Sequence, residues 1–158
     1  MLFKSIVLNG IRLVIYPDGM ILRYCKKKTN MYLNKGWNIC RNIINFDGYD
    51  TVSLNGKFIK KHRIVASVFL GFDIDNKTLE IDHIDRCRIN NNLSNLRIVT
   101  KQQNMFNRGA KGYYFKKQNN KYCAQIKHNK NVIHLGYYTT EEEAHNAYLE
   151  AKTKYHLI

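Results

Sequence analysis

Asp82 and His83 sit side by side at the end of an apolar run, Asn95 lies twelve residues after the histidine, and Asn104 follows nine residues later. The carboxylate of Asp82 and the carboxamide of Asn104 offer oxygen ligands. Such donors suit a hard divalent cation, Mg²⁺ or Mn²⁺, better than zinc or copper. Two protein ligands suffice for Mg²⁺, which keeps waters and completes its octahedron with substrate phosphate oxygens. His83 adds an imidazole with an ordinary pKa of about 6.5, able to take a proton from water near neutral pH. Neighbouring residues of an ideal strand point to opposite faces, so it is not evident how one site uses both. Each residue alone also has a structural reading, the histidine in packing and the asparagines in turns.

These residues need a scaffold, and the surrounding pattern predicts a strand entering at Thr78-Leu-Glu-Ile81, a polar connection over Asp85–Ser94, and a return strand at Leu96–Thr100. Thr100 can cap a helix carrying Gln103 and Asn104. A ββα unit of about 30 residues is too small to hold a core alone. The helix predicted just before it, His62–Leu70 ending at Gly71, places Ile64, Val65, Val68 and Phe69 on one face. Further upstream, Ile11–Tyr16 and Met20–Cys25 flank the turn Pro17-Asp18-Gly19, and Tyr49–Leu54 and Lys57–Lys61 flank Asn55-Gly56, the favoured type I′ pair. Both read as β-hairpins. Lys26–Gly36 reads as a cationic loop, and Trp37–Ile44 is open between strand and helix.

After Arg108-Gly-Ala-Lys-Gly112 the pattern changes. Gly112–Lys117, Lys121–Lys127 and Asn131–Tyr138 read as three strands of a meander. Thr140 and Glu143 form a capping box, followed by a helix with Ala144, Ala147, Tyr148 and Ala151 on one face. The expected class is α+β with three segments: a β-rich N-terminal segment over 1–61, the ββα unit with its preceding helix over 62–108, and a three-stranded antiparallel sheet plus helix over 109–158.

Lys and Arg number 26 against 12 acids, a formal charge of +14, which calls for a polyanionic partner more than for a neutral ligand. The charge is unevenly spread. Five of the acids, Asp73, Asp75, Glu80, Asp82 and Asp85, fall just before or inside the ββα stretch, whereas 101–135 holds eight Lys or Arg and no acid. An acidic pocket beside a cationic surface fits a metal site next to a phosphate track. Cys25, Cys40, Cys87 and Cys123 are scattered without a C-x-x-C pair, which points to reduced thiols and away from zinc or a disulfide framework. The N-terminal apolar stretch is too short for a secretory leader and no run reaches about 18 apolar residues. A soluble, intracellular, DNA-associated protein is the expectation.

Asp82-His83-Ile84-Asp85, the Asn90-Asn91 pair, Asn95-Leu96-Arg97 and Thr100, in this order and spacing, resemble the HNH endonuclease family. The resemblance implies a ββα-metal fold in which His83 is the general base, Asp82 and Asn104 bind the metal, and Asn95 holds the hairpin and orients His83 through a hydrogen bond, with Asp85 bracing the loop. It also answers the strand problem, because in that family the Asp-His pair lies at a twisted strand end. Many relatives have histidine where this chain has Asn104, making it an H-N-N variant of a kind found among phage and intron-encoded members. The implied activity is metal-dependent hydrolysis of double-stranded DNA to 5′-phosphate and 3′-hydroxyl ends. Arg63, Arg86, Arg88, Arg97 and Arg108 are the cations of this region expected to meet the DNA backbone.

Lys121-Tyr-x-Ala-x-Ile126, His134-Leu-Gly-Tyr-Tyr-Thr139 and Glu142-Glu-Ala-x-x-Ala-Tyr148 resemble the APETALA-two-like DNA-binding domain, whose sheet lies in the major groove. By that resemblance Lys116, Lys117, Lys121, Gln125, Lys127 and His134 face DNA, while Tyr113, Tyr114 and Tyr122 pack. The alternative to a homing-type nuclease is a non-catalytic DNA-binding regulator on an HNH scaffold.

Overall fold

Turn chemistry lays out the N-terminal strands. Asn9 and Gly10, with φ of 48° and 73°, reverse the chain between β1 (Lys4–Leu8) and β2 (Ile11–Ile15), as the type I′ pairing requires. Asp18 Oδ1 accepts from the Met20 amide in the turn leading to β3 (Ile21–Cys25), and β4 (Gly36–Ile39) completes an antiparallel sheet in the order β1-β2-β3-β4. In this computed structural model residues 3–28 and 33–156 are described, so the cationic loop expected over 26–36 lies partly outside them.

The ambiguous stretch 37–44 resolves into strands of two different sheets. β4 ends at Ile39, and β5 (Ile43–Ile44) pairs with β6 (Asp50–Leu54), which pairs with β7 (Lys57–Lys60) across Asn55-Gly56. The helix α1 (Lys61–Phe69) follows directly and buries Ile64, Val65 and Ala66. β8 (Leu79–His83) and β9 (Leu96–Thr100) form an antiparallel pair with Asp82 opposite Arg97. α2 (Lys101–Phe106) starts at a reciprocal cap: Thr100 Oγ1 accepts from the Gln103 amide while Gln103 Oε1 accepts from the Thr100 amide.

The chain divides into two compact units, Met1–Asn104 and Met105–Ile158. In the first, Leu13, Ile15 and Ile21 of the N-terminal sheet, Val52 and Leu54 of β6, Ile64 and Val65 of α1, and Ile81 and Leu96 of the β8–β9 pair share one core. The boundary expected at 61/62 therefore runs through a single hydrophobic cluster. That also answers the stability problem of a small ββα unit, since each fully buried Leu or Ile contributes about 1.5–3 kcal/mol and most of these side chains come from upstream of it.

The second unit matches its expected pattern. β10 (Tyr113–Lys116), β11 (Lys121–His128) and β12 (Asn131–Tyr138) form a meander, with a register shift between Ala124 and Gln125. α3 (Glu141–Tyr155) begins at the Thr140/Glu143 capping box and packs Tyr148 and Ala151 onto Ile126. Gly112, at φ 74°, is needed because a Cβ there would collide with the Tyr148 ring. All four cysteines are free thiols, with Cys87 exposed and the others buried.

Candidate active site

Strand alternation gives β8 two different faces. Ile81 belongs to the core that includes α1, and His83, two residues on, turns its ring to the same side, where it meets His62 edge-on at 4.9 Å and 90°. Tyr49 touches both rings, with centroids 5.0 Å from His62 and 6.0 Å from His83. On the other face, Asp82 pairs with Arg97, whose Nε and Nη2 donate to Oδ2 at 2.9 and 2.7 Å, and Glu80 accepts a hydrogen bond from Nδ2 of Asn104. The structure thus brings Asp82, Glu80 and Asn104 to one side of the strand and His83 to the other, at the strand's last residue.

The loop after His83 is closed by asparagines. Asn95 donates from Nδ2 to Asp85 Oδ1 and to the Asn90 carbonyl, both at 2.9 Å, and accepts at Oδ1 from the Asp85 amide at 3.0 Å. Asp85 also accepts from Asn90 Nδ2 and from the Cys87 amide, each at 2.7 Å; those bonds, Asn90 first, hold its carboxyl below the usual range. Asp85 and Asn95 are therefore the loop braces. The hydrogen bond expected from Asn95 to His83 is made by Asn91 instead, whose Oδ1 lies 3.3 Å from His83 Nε2. The physical reason is that Asn95's carboxamide is already committed at both ends to the loop backbone and Asp85. The Asn90-Asn91 pair is visible in the motif, but nothing in its spacing singles out Asn91.

Burial lowers the pKa of His83, opposed by the Asn91 hydrogen bond and the nearby Asp85 and Asp82. His62, 4% exposed, is pushed down to about 3 by burial and then by His83, Lys60 and Arg63. Its Nδ1 has no hydrogen-bond partner. Both imidazoles are neutral near pH 7.

Two arginines expected on DNA have structural roles. Arg97 holds Asp82. Arg63 donates to the carbonyls of Ile74 and Asn76 at 2.7 and 2.8 Å and lies over the Phe72 ring, because the turn after α1 presents those carbonyls to it. Arg86, Arg88 and Arg108 are exposed, and Arg88 lies over Tyr49 with Nη1 donating to the Asp47 carbonyl. In the second unit Lys117, Lys121, Gln125, Lys127 and His134 are exposed, while Lys116 is half-buried and donates to the Tyr137 hydroxyl. Tyr113 and Tyr122 are half-buried and meet edge to face, whereas Tyr114, expected to pack, is 48% exposed.

Among the described residues no group of three or more His, Cys, Asp or Glu could hold a metal ion. The donor set that the structure does provide is oxygen-based. With Nδ2 of Asn104 given to Glu80, the Asn104 carbonyl oxygen is the end available as a ligand beside the buried Asp82 carboxylate. Those residues fit a hard divalent cation.

Residues 60–106, spanning α1, the β8–β9 pair and α2, match the HNH endonuclease family model. A solved structure described as "DNA binding and cleavage by the HNH homing endonuclease I-HmuI" is 29% identical with a TM-score of 0.49, the match covering 68% of this chain and 57% of that one. The chain thus spans little more than half of that protein's length. No curated protein matches. Asp82, His83, Asn95 and Asn104 all lie inside the matched span, so the stretch that is similar to the HNH endonuclease family is the stretch that carries the candidate site.

Proposed function

We propose that the chain is a metal-dependent, homing-type DNA endonuclease that hydrolyses phosphodiester bonds to 5′-phosphate and 3′-hydroxyl ends. The observation that carries the reading is the pairing of a neutral His83, oriented by Asn91, with an oxygen-donor face made by Asp82 of the same short strand and Asn104 of α2. Asn91 Oδ1 is an acceptor, so it selects the tautomer with the proton on Nε2 and puts the imidazole lone pair on Nδ1. Nδ1 takes a proton from water as the water oxygen bonds to phosphorus, and the bond from phosphorus to the 3′-oxygen breaks. β8 ends at His83, where its two faces adjoin, so a substrate laid across that end is within reach of both.

General base catalysis contributes about 10²–10⁴-fold, whereas enzymes lower barriers by roughly 8–23 kcal/mol, so His83 supplies only part of the rate. Asp82 and Asn104 would hold a hard cation, which when bound would supply charge stabilisation at the phosphate and the departing oxygen. Arg97 serves differently, fixing the Asp82 carboxylate in a buried place. In the second unit, alternation along β11 puts Lys121, Gln125 and Lys127 on the sheet face opposite α3, with His134 beside Gln125 in the register. That face is where DNA would lie, lysines on phosphates and Gln125 at base edges.

The test is incubation of supercoiled plasmid with the protein and Mg²⁺, with and without chelator, alongside His83→Ala, Asp82→Ala and Asn104→Ala. Wild-type cleavage abolished by chelator and by each substitution is expected. Cleavage that survives His83→Ala and Asp82→Ala would overturn the assignment of the site.

A further inference from the structure

Among the described residues, two cations near His83 have no carboxylate partner. Lys60 Nζ lies 3.9 Å from the centroid of the Tyr49 ring and the Arg88 guanidinium carbon 5.1 Å from it. The ion pairs that Lys61 makes with Asp50 and Arg97 with Asp82 include neither of them. Asp85, the acid closest in sequence to Arg88, is turned into its own loop by Asn90, Asn95 and the Cys87 amide.

The start of α1 adds to this. Lys60 is its N-cap, no side chain caps it, and its first turn holds no acid. A helix N-terminus carries roughly half a positive charge, which favours an anion and opposes a cation. Lys61 turns to Asp50 and Arg63 to the carbonyls of Ile74 and Asn76, whereas Lys60 is drawn over Tyr49. Two unneutralised side-chain cations and an uncapped helix start therefore converge on one aromatic ring, and that ring touches His83. A ring quadrupole can hold cations in place but leaves their charge uncancelled, so the arrangement calls for an anion.

We propose that Lys60 and Arg88, held over Tyr49 beside His83, form a seat for a DNA phosphate flanking the scissile one. The inference rests on the nuclease reading for the identity of the anion. Arg88 supplies planar donors and Lys60 a point charge, and Tyr49 is the positioning residue that keeps the seat in register with the base. The flanking phosphate is thereby bound before and during attack alike, so its loss raises KM more than it lowers kcat.

The test uses the full chain carrying Lys60→Gln and Arg88→Gln together. Binding to a labelled DNA duplex is followed against salt in chelator, where nothing is cut, and plasmid cleavage is followed with Mg²⁺. The double variant is expected to flatten the slope of log affinity against log salt by about 0.9, the increment for one phosphate contact, and to lower kcat/KM at least tenfold through KM. The charge-retaining exchange Lys60→Arg with Arg88→Lys should keep the slope, and Lys154→Gln on α3 should leave slope and cleavage as in the wild type. Far-UV circular dichroism and melting confirm that each variant folds. An unchanged slope in the double Gln variant, or an equal loss in the exchange variant, overturns the seat. A flattened slope with a wild type that never cuts supports the anion seat and removes the nuclease reading.

Discussion

His62 should make the first unit acid-labile, and the size of the effect follows from its surroundings. The ring is 4% exposed, lacks a partner at Nδ1 and is pushed down to about 3, against about 6.5 in an unfolded chain. A group whose folded pKa is depressed leaves stability intact above the unfolded value and removes it as pH falls toward the folded one. Between those values the unfolded state binds the extra proton, so folding stability declines by about 1.36 kcal/mol per pH unit. From pH 6.5 to 4.5 the loss from His62 alone is about 2 kcal/mol, a large share of the roughly 5–15 kcal/mol that holds a typical domain. His62→Phe keeps an aromatic ring between Tyr49 and His83 and removes the titration. Urea unfolding, followed through Trp37, the chain's single tryptophan and a residue of this unit, should show the variant gaining about 2–3 kcal/mol relative to wild type between pH 7 and 4.5. Parallel stability curves for the two proteins would refute the reasoning, because they would mean that His62 accepts its proton without unfolding cost.

Arg97→Ala should destabilise the first unit by about 3–5 kcal/mol in chemical denaturation, since Asp82 is buried and would lose its ion pair; a change below about 1 kcal/mol would show that the pair is solvated. Leu13→Ala, far upstream of the matched span but fully buried in the shared core, should cost about 2–5 kcal/mol and lower the midpoint at which plasmid cleavage is lost on heating. Asn91→Ala should reduce kcat about 10- to 100-fold with KM little changed, at a cost of less than a decade for Asn91→Gln if the longer amide still reaches Nε2; equal kinetics for wild type and Asn91→Ala would remove Asn91 from the orientation of His83.

Features governed by local chemistry were legible in the sequence. The Asn-Gly turn at 55–56, the helix at 61–69, the ββα order and the C-terminal meander with its capping box depend on residues close along the chain. Fold class was legible for the same reason. The strand Lys4–Leu8 is harder to read, although Asn9-Gly10 marks its turn, because a short apolar stretch at a chain start resembles a leader as much as a strand. Long-range choices stayed hidden. Composition cannot show that Leu13 and Ile21 share a core with Ile81 and Leu96, so a segment boundary at 61/62 is compatible with the sequence and not with the packing. Nor can it say which of four loop asparagines reaches His83, since Asn90, Asn91, Asn92 and Asn95 differ only in how the turn aims them. Arg63 and Arg97 read as cations for DNA because the carbonyls of Ile74 and Asn76 and the carboxylate of Asp82 that claim them are set by tertiary structure.

The two-faced strand explains why adjacent residues can serve one site. If His83 shared a face with Glu80 and Asp82, three side chains of β8 would crowd together and the carboxylates would favour the charged imidazolium, which cannot accept a proton from water. Alternation instead sends His83 to the α1 side, where burial outweighs the more distant pull of Asp85 and Asp82 and keeps the ring neutral. Asp82 goes to the other side, where Arg97 pairs with it. Each residue thus receives its own surroundings, the imidazole against the rings of His62 and Tyr49 and the carboxylate beside a cation, although the two are joined by a single peptide bond. A strand that continued past His83 would separate them permanently. Ending at His83, with the Arg86 amide donating back to the His83 carbonyl and the Ile84 amide to the Asn95 carbonyl, the strand brings both faces to one edge, the arrangement that the proposed hydrolysis requires.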